Sequence, residues 1–312
     1  MNHKNAPACA RRPRRLASTL AVALLGLGGF APAVQAGEGG LSNFPYGAQT
    51  TYAAIMPPPG TTSFFGYMLG YTADSVRDNG GDRIPGVEVE VFALAPRLVH
   101  SWKQPLGGFK VSSGIVVQGA YAKVEVPGAE DDVTGPSLLG IEPFYLTRSV
   151  GAWHFLTGPL LYFPLGPYDR NDLVNSTVNY RSYAYQTSAT WTPTPRWDIS
   201  LNAAIEFKER NDDTDYRSGT QTGLTFGVGH RPFTNQKWDL GISGFYTRQL
   251  TDDELDGQDV PGGNRTRKFA VGPKLVYWFT PAAGLVVQWH RETNVRNAPK
   301  GDLLWVEVAF PL

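Results

Sequence analysis

Thiols are all but missing from this chain, whose single cysteine, Cys9, lies close to the N-terminus. With residues 1–36 read as a leader, the mature chain has none. That excludes disulfides, cysteine-ligated zinc and a cysteine nucleophile together. Long apolar runs are missing too. Beyond residue 36 no stretch approaches the roughly 18 apolar residues of a membrane-spanning helix. An excess of positive charge is likewise absent, with 28 basic and 28 acidic residues in the whole sequence. The leader removes Lys4, Arg11, Arg12, Arg14 and Arg15 but no acid, so the remainder is acidic and gives no support for nucleic-acid binding. Gly-x-Ser-x-Gly, His-Glu-x-x-His and phosphate-binding glycine patterns do not occur. His100, His154, His230 and His290 stand in no recognisable spacing with serine and an acid. The sequence therefore predicts no catalytic residues, no metal site and no cofactor.

What is present begins with an export signal. Arg11, Arg12, Arg14 and Arg15 precede the apolar run Leu16–Leu27, and Val34-Gln35-Ala36 offers small residues for cleavage after Ala36. Ala31-Pro32-Ala33 is a second candidate for cleavage. A twin-arginine signal is the weaker reading, because that route exports folded proteins and a barrel must reach its membrane unfolded.

The mature chain then alternates. Leu304, Val306, Val308, Phe310 and Leu312 are apolar, and Trp305, Glu307 and Ala309 lie between them. Such a terminal strand turns every second side chain to lipid and the others to a lumen. The pattern recurs over residues 62–73, 86–99, 108–125, 134–148, 151–164, 179–192, 197–210, 216–230, 237–251, 266–279, 283–291 and 302–312. The clearest case is 197–210, with Trp197, Ile199, Leu201, Ala203, Ile205 and Phe207 on one face and Asp198, Ser200, Asn202, Glu206 and Lys208 on the other. In 86–99 the phase switches near Val91-Phe92, which predicts a bulge. The expected fold is all-β: a transmembrane antiparallel β-barrel of about 12 strands over residues 61–312, with 10 or 14 strands as alternatives. Alternate connections are long and polar (74–85, 126–133, 165–178, 252–265, 292–301) or short (149–150, 193–196, 231–236, 280–282). Sorting by parity places both termini on the periplasmic, short-turn side, and a soluble two-sheet protein has no reason to show it.

Residues 37–60 do not alternate. Pro45 and Pro57-Pro58-Pro59 are poor strand material, and Gln49–Met56 is long enough for two helical turns. Because the segment is too apolar for a free tail, we expect it to enter the lumen as a plug, with Phe44, Tyr46, Tyr52 and Met56 against the inner wall. A periplasmic tail is the alternative. Inward positions read from the alternation are Glu142, Arg148, Asp198, Glu206, Lys208, Lys274 and Glu307, with the aromatics Tyr162, Phe245, Trp278 and Trp305. The charges either pair to fill the lumen or tune passage, and the aromatics give a hydrophobic solute a surface to slide along. Asp252, Asp253, Glu254, Asp256 and Asp259 form an acidic outward loop. Its spacing fits no calcium loop, so surface charge bridged to lipopolysaccharide by divalent ions is the expected role.

Several short motifs fall in a familiar order. Glu38-Gly39-Gly40, Phe44-Pro45-Tyr46-Gly47-Ala48 and Pro57-Pro58-Pro59-Gly60 are followed by Gly158-Pro159 and Pro164-Leu165-Gly166-Pro167-Tyr168-Asp169. Tyr216-Arg217-Ser218-Gly219, Gln249-Leu250-Thr251-Asp252-Asp253 and Gly272-Pro273-Lys274 complete the set. Over essentially the whole mature chain this resembles the exported family labelled as involved in the meta-pathway of phenol degradation. Leu165-Gly166-Pro167 stands where that family more often has Thr-Gly. The resemblance implies an outer-membrane barrel that passes small hydrophobic or aromatic compounds. Its partners would be those solutes, outer-membrane lipid, lipopolysaccharide and the barrel assembly machinery. Rival expectations are a barrel hydrolase of lipids or esters, and a barrel that only stabilises the membrane or binds a partner.

Overall fold

The computed structural model describes residues 41–312, so the signal peptide expected over 1–36 and the start of the following segment lie outside the described residues. Twelve long strands close into an antiparallel barrel: β1 (Thr62–Arg77), β2 (Glu88–Ser101), β3 (Lys110–Val126), β4 (Ala129–Val150), β5 (Trp153–Pro164), β6 (Ser182–Trp191), β7 (Trp197–Lys208), β8 (Gln221–His230), β9 (Trp238–Gln249), β10 (Arg267–Thr280), β11 (Ala283–Arg296) and β12 (Ala298–Pro311). Each strand pairs with its sequence neighbours, and β12 returns to β1 through Ser63↔Pro311 to Ala73↔Gly301, which leaves no free edge. No helix occurs among the described residues.

Lipid and lumen divide the side chains as the alternation requires. In β7, Leu201 and Phe207 are exposed, while Asp198, Ser200, Asn202, Glu206 and Lys208 are buried inside. Around the end where β1 begins and β12 ends, Trp153 lies 5.5 Å from Trp191, and Trp238 lies 4.6 Å from Tyr277. These outward aromatics form one girdle, at the height where an apolar ring with a polar edge meets both hydrocarbon and water.

Three expectations need correction. The 86–99 strand has no bulge: β1 and β2 pair without a shift from Thr62↔His100 to Ala73↔Val89. Its alternation is hidden because the lumen is apolar there. Val89 and Val91 point inward, and Phe92, Leu94 and Leu98 point to lipid. The third and eleventh connections are not long loops. Pro127-Gly128 alone joins β3 to β4, and Asn297 alone separates β11 from β12. The strands continue past the lipid into water, where polar residues still pair, as Lys123↔Asp132 and Glu125↔Glu130 do. Positive φ at Gly128 and Asn297 closes both turns.

At the loop end, Tyr216-Arg217, Glu254-Leu255 and Gln258-Asp259 form a separate three-stranded sheet, where the sequence had suggested one strand over 216–230. Buried Asp253 pins this sheet. It accepts hydrogen bonds from Tyr216, from Gly219 N at 2.8 Å and from Gln249 Nε2 at 2.6 Å. Burial pushes its carboxyl above the ordinary range, whereas the hydrogen bond from Arg265 holds the neighbouring Asp252 below it. The acidic loop is thus partly a staple rather than free surface charge.

Candidate functional site

The site is the lumen, and half of its wall is built to receive another piece of chain. Most inward positions of β6–β11 are small or polar: Ser182, Gln186, Ser188 and Thr190, then Asp198, Ser200 and Asn202, then Gln221 and Thr225, then Ser243, Gln288 and His290. A strand can hold such residues only if its other face carries the apolar surface and something polar answers them inside. The answer is residues 41–56, which run through the lumen without regular structure. Two helical turns over Gln49–Met56 are therefore not formed. The wall supplies the hydrogen bonds a helix would otherwise make for itself.

Those bonds are numerous and specific. Glu206 accepts from Ser42 Oγ at 2.6 Å and from Asn43 N at 3.1 Å. Thr225 Oγ1 accepts from Gly47 N at 2.9 Å, and Gln288 Nε2 donates to Ala48 O at 3.1 Å. Thr50 Oγ1 donates to Gln288 Oε1 at 2.5 Å, while Lys274 Nζ reaches Thr50 O at 3.3 Å. Asp198 accepts from Tyr52 N at 3.2 Å, and Ser200 and Thr190 accept from Ala53 N and Ala54 N. Lys274 also stands 3.4 Å from Asp198, both side chains fully buried.

Close approach is secured by glycine. A Cβ on Gly227 would sit 2.1 Å from Thr50 O, and one on Gly223 would sit 2.5 Å from a ring carbon of Tyr46. Gly227 meets only the segment among its three nearest atoms. Gly227→Val should therefore expel the segment and leave the barrel closed. The expected readouts are protease cleavage within residues 41–56 and heat-modifiable gel migration like that of the unaltered protein. Continued protection of those residues would show that the wall yields instead.

The facing half of the wall, from β12 through β1 to β5, is aromatic. Tyr145, Tyr162, Leu138, Leu156, Leu160, Leu303 and Trp305 form one cluster with Phe44, Tyr46 and Phe245, and Met56, Tyr67, Leu69 and Tyr71 pack against it. Within this surface sits a charge pair that the alternation did not bring out. Arg97 grips Glu142 with Nε to Oε1 at 2.8 Å and Nη2 to Oε2 at 2.9 Å. Its Nη1 donates to Tyr67 OH at 3.2 Å, and the guanidinium lies 5.2 Å from the Phe65 ring centre. The only sequence signal for Arg97 was a lone arginine inside an apolar strand whose phase was ambiguous.

Of the inward residues read from sequence, the structure turns Tyr162, Phe245, Trp278, Trp305, Glu142, Asp198, Glu206, Lys208, Lys274 and Glu307 to the lumen. Lys208 donates to Gln221 at 3.0 Å, and Glu307 stands opposite Tyr67. Arg148 is a correction. It is exposed on the outer face, opposite Phe155, and its guanidinium lies 5.7 Å from the Phe109 ring centre. The register between β4 and β5 shifts between Ile141 and Leu146, so Glu142 and Tyr145 both point inward and the parity reverses before Arg148. Phe44, Tyr46, Tyr52 and Met56 all lie against the inner wall.

Two serine–histidine pairs occur, Ser243 with His290 at 2.8 Å and Ser149 with His154 at 2.7 Å. The second ring nitrogen of His290 has no partner, and that of His154 meets Thr192. A nucleophile–base pair is oriented by a third polar group, most often a carboxylate; His290 has none, and His154 meets only a threonine hydroxyl.

Comparison with known proteins fits this geometry. Residues 73–308 match the family described as the putative MetA-pathway of phenol degradation. No curated protein matches the chain. Among solved structures, an outer membrane channel from Pseudomonas putida F1 is 18% identical, with a TM-score of 0.73 over 84% of this chain and 98% of that one. The β domain of the Bordetella autotransporter Brka is 12% identical, with a TM-score of 0.52 over 81% of this chain and all of the other. At such identities the likeness is one of fold.

Proposed function

Because this chain belongs to the family described as the putative MetA-pathway of phenol degradation, we propose that it is an outer-membrane channel for small hydrophobic, including aromatic, solutes. One observation carries the reading. The lumen has two unlike halves: a polar wall occupied by residues 41–56 and an aromatic wall that faces it. A barrel that served only as a membrane staple would need no aromatic inner surface, since its strands are satisfied by pairing and its exterior by lipid. A solute with an apolar ring is stabilised along Tyr71, Leu69, Trp305 and Tyr162 while the segment keeps bulk water out of its path. In this reading the C-terminus and the aromatic girdle beside it face the periplasm. Leu41 instead lies at the long-loop end, where its carbonyl accepts a hydrogen bond from Tyr180, so the expected periplasmic placement of both termini is corrected for the N-terminal side. The long-loop end faces outward, towards lipopolysaccharide.

The test is uptake of radiolabelled phenol and toluene by cells that lack the protein and by complemented cells. Faster uptake with the protein is expected, and equal rates overturn the channel. Hydrolysis of a p-nitrophenyl ester by the purified barrel, lost on Ser149→Ala, would replace the proposal with an enzyme.

A further inference from the structure

At the short-turn end of the lumen one side chain of the segment occupies a pocket whose buried polar groups it leaves partly unanswered. Tyr52 is held in the left-handed region at φ 47°, which a non-glycine residue adopts only when its surroundings force it. Its ring lies 5.5 Å from that of Trp278. Its hydroxyl accepts a hydrogen bond of 2.5 Å from Arg231 Nη2, and the same guanidinium lies 5.0 Å from the Trp278 ring centre. Asp239 stands beside this group, 1% exposed at its side chain, with Oδ2 3.8 Å from Arg231 Nε. Neither carboxylate oxygen has a hydrogen-bond partner, and the indole N–H of Trp278 has none either.

A buried carboxylate without a donor is expensive to keep, and so points to a missing one. Tyr52 reaches Arg231 but, tethered through its strained backbone, gives Asp239 no hydrogen bond. A phenol in the same place, freed of the tether, accepts from Arg231 and donates its own proton to Asp239 while stacking on Trp278. We infer that Arg231, Asp239 and Trp278 form a binding subsite for phenols at the inner mouth of the lumen, and that Tyr52 is the chain's own stand-in for that ligand. The inference rests on the channel reading and names a substrate class for it: hydroxylated aromatic rings rather than hydrocarbons. On this view an arriving phenol displaces Tyr52, and the segment loosens at its periplasmic end.

The experiment uses 4-methylphenol, which is the tyrosine side chain without its backbone, and isothermal titration calorimetry on the full barrel in detergent. Tyr52→Gly empties the pocket and also relieves the positive φ, so the segment keeps its path. It should bind 4-methylphenol at one site about tenfold or more tightly than the unaltered protein, which must first expel its own ring. Adding Asp239→Asn or Arg231→Gln should weaken binding by about tenfold, and toluene should bind Tyr52→Gly by about tenfold less than 4-methylphenol, as expected for loss of a charge-assisted hydrogen bond. Heat-modifiable migration checks that each variant is folded. Absent binding to a folded Tyr52→Gly barrel, or equal affinity for toluene and 4-methylphenol, overturns the subsite. Uptake of aromatics without such binding sinks the subsite and spares the channel. Binding without uptake does the reverse.

Discussion

Deleting residues 41–56 should raise single-channel conductance at least about threefold in planar bilayers while leaving a folded barrel. A barrel of twelve strands encloses more space than its own inward side chains fill, so whatever occupies the remainder sets the current. Here the occupant is attached by polar contacts to the wall, from Glu206 at one end to Thr190 at the other, and contributes no strand to the barrel. Every strand keeps both neighbours without it. The loss of Phe44 and Tyr46 from the lumenal cluster should lower the thermal midpoint without preventing assembly. Unchanged current, with heat-modifiable migration retained, would show that the segment does not obstruct the lumen.

The second large effect concerns Arg97 and Glu142. Removing one partner of a buried, hydrogen-bonded ion pair leaves the other charge uncompensated, at a cost of about 3–5 kcal/mol. The side chains are 5% and 4% exposed, so water relieves little of that penalty. Arg97→Met should therefore destabilise the barrel by about that much in urea titrations in lipid vesicles. The double change with Glu142→Leu should restore most of the loss, because two apolar side chains of similar size desolvate nothing. Gly114, where a Cβ would lie 2.0 Å from Glu142 Oε2, marks how tightly the pair is set into the wall. A loss under about 1 kcal/mol for the single change would mean that the pair is screened like a surface bridge.

How much of this was legible depended on what each residue faces. Lipid accepts only apolar side chains, so the outward faces of β7, β9 and β12 declared themselves at every second position. The lumen accepts either kind, and where it is apolar, as at Val89 and Val91, the alternation vanishes and with it the position of Arg97. Register is invisible in sequence wherever a bulge intervenes. The shift before Leu146 reversed the parity of the end of β4 and misplaced Arg148. Strand length was also concealed, since pairing persists beyond the membrane into polar residues. The segment over 37–60 was read as luminal from its aromatics and prolines, but the conformation of residues 41–56 was not. Its partners are on strands far along the chain, and local propensity for helix could not reveal them. Gly223 and Gly227, both inward on β8, were the overlooked sign that something lies against the wall there.

The hydrogen bonds of that segment to the wall join residues separated by 136 to 240 positions. Its partners come from five different strands, β6, β7, β8, β10 and β11, and its seat does not exist until those strands stand side by side. Ordering such distant contacts carries a large entropic cost that only preformed neighbours repay. In order of synthesis the segment precedes every strand, yet its seat forms only once they are paired, so an assembled barrel with an empty throat is expected to precede the finished one.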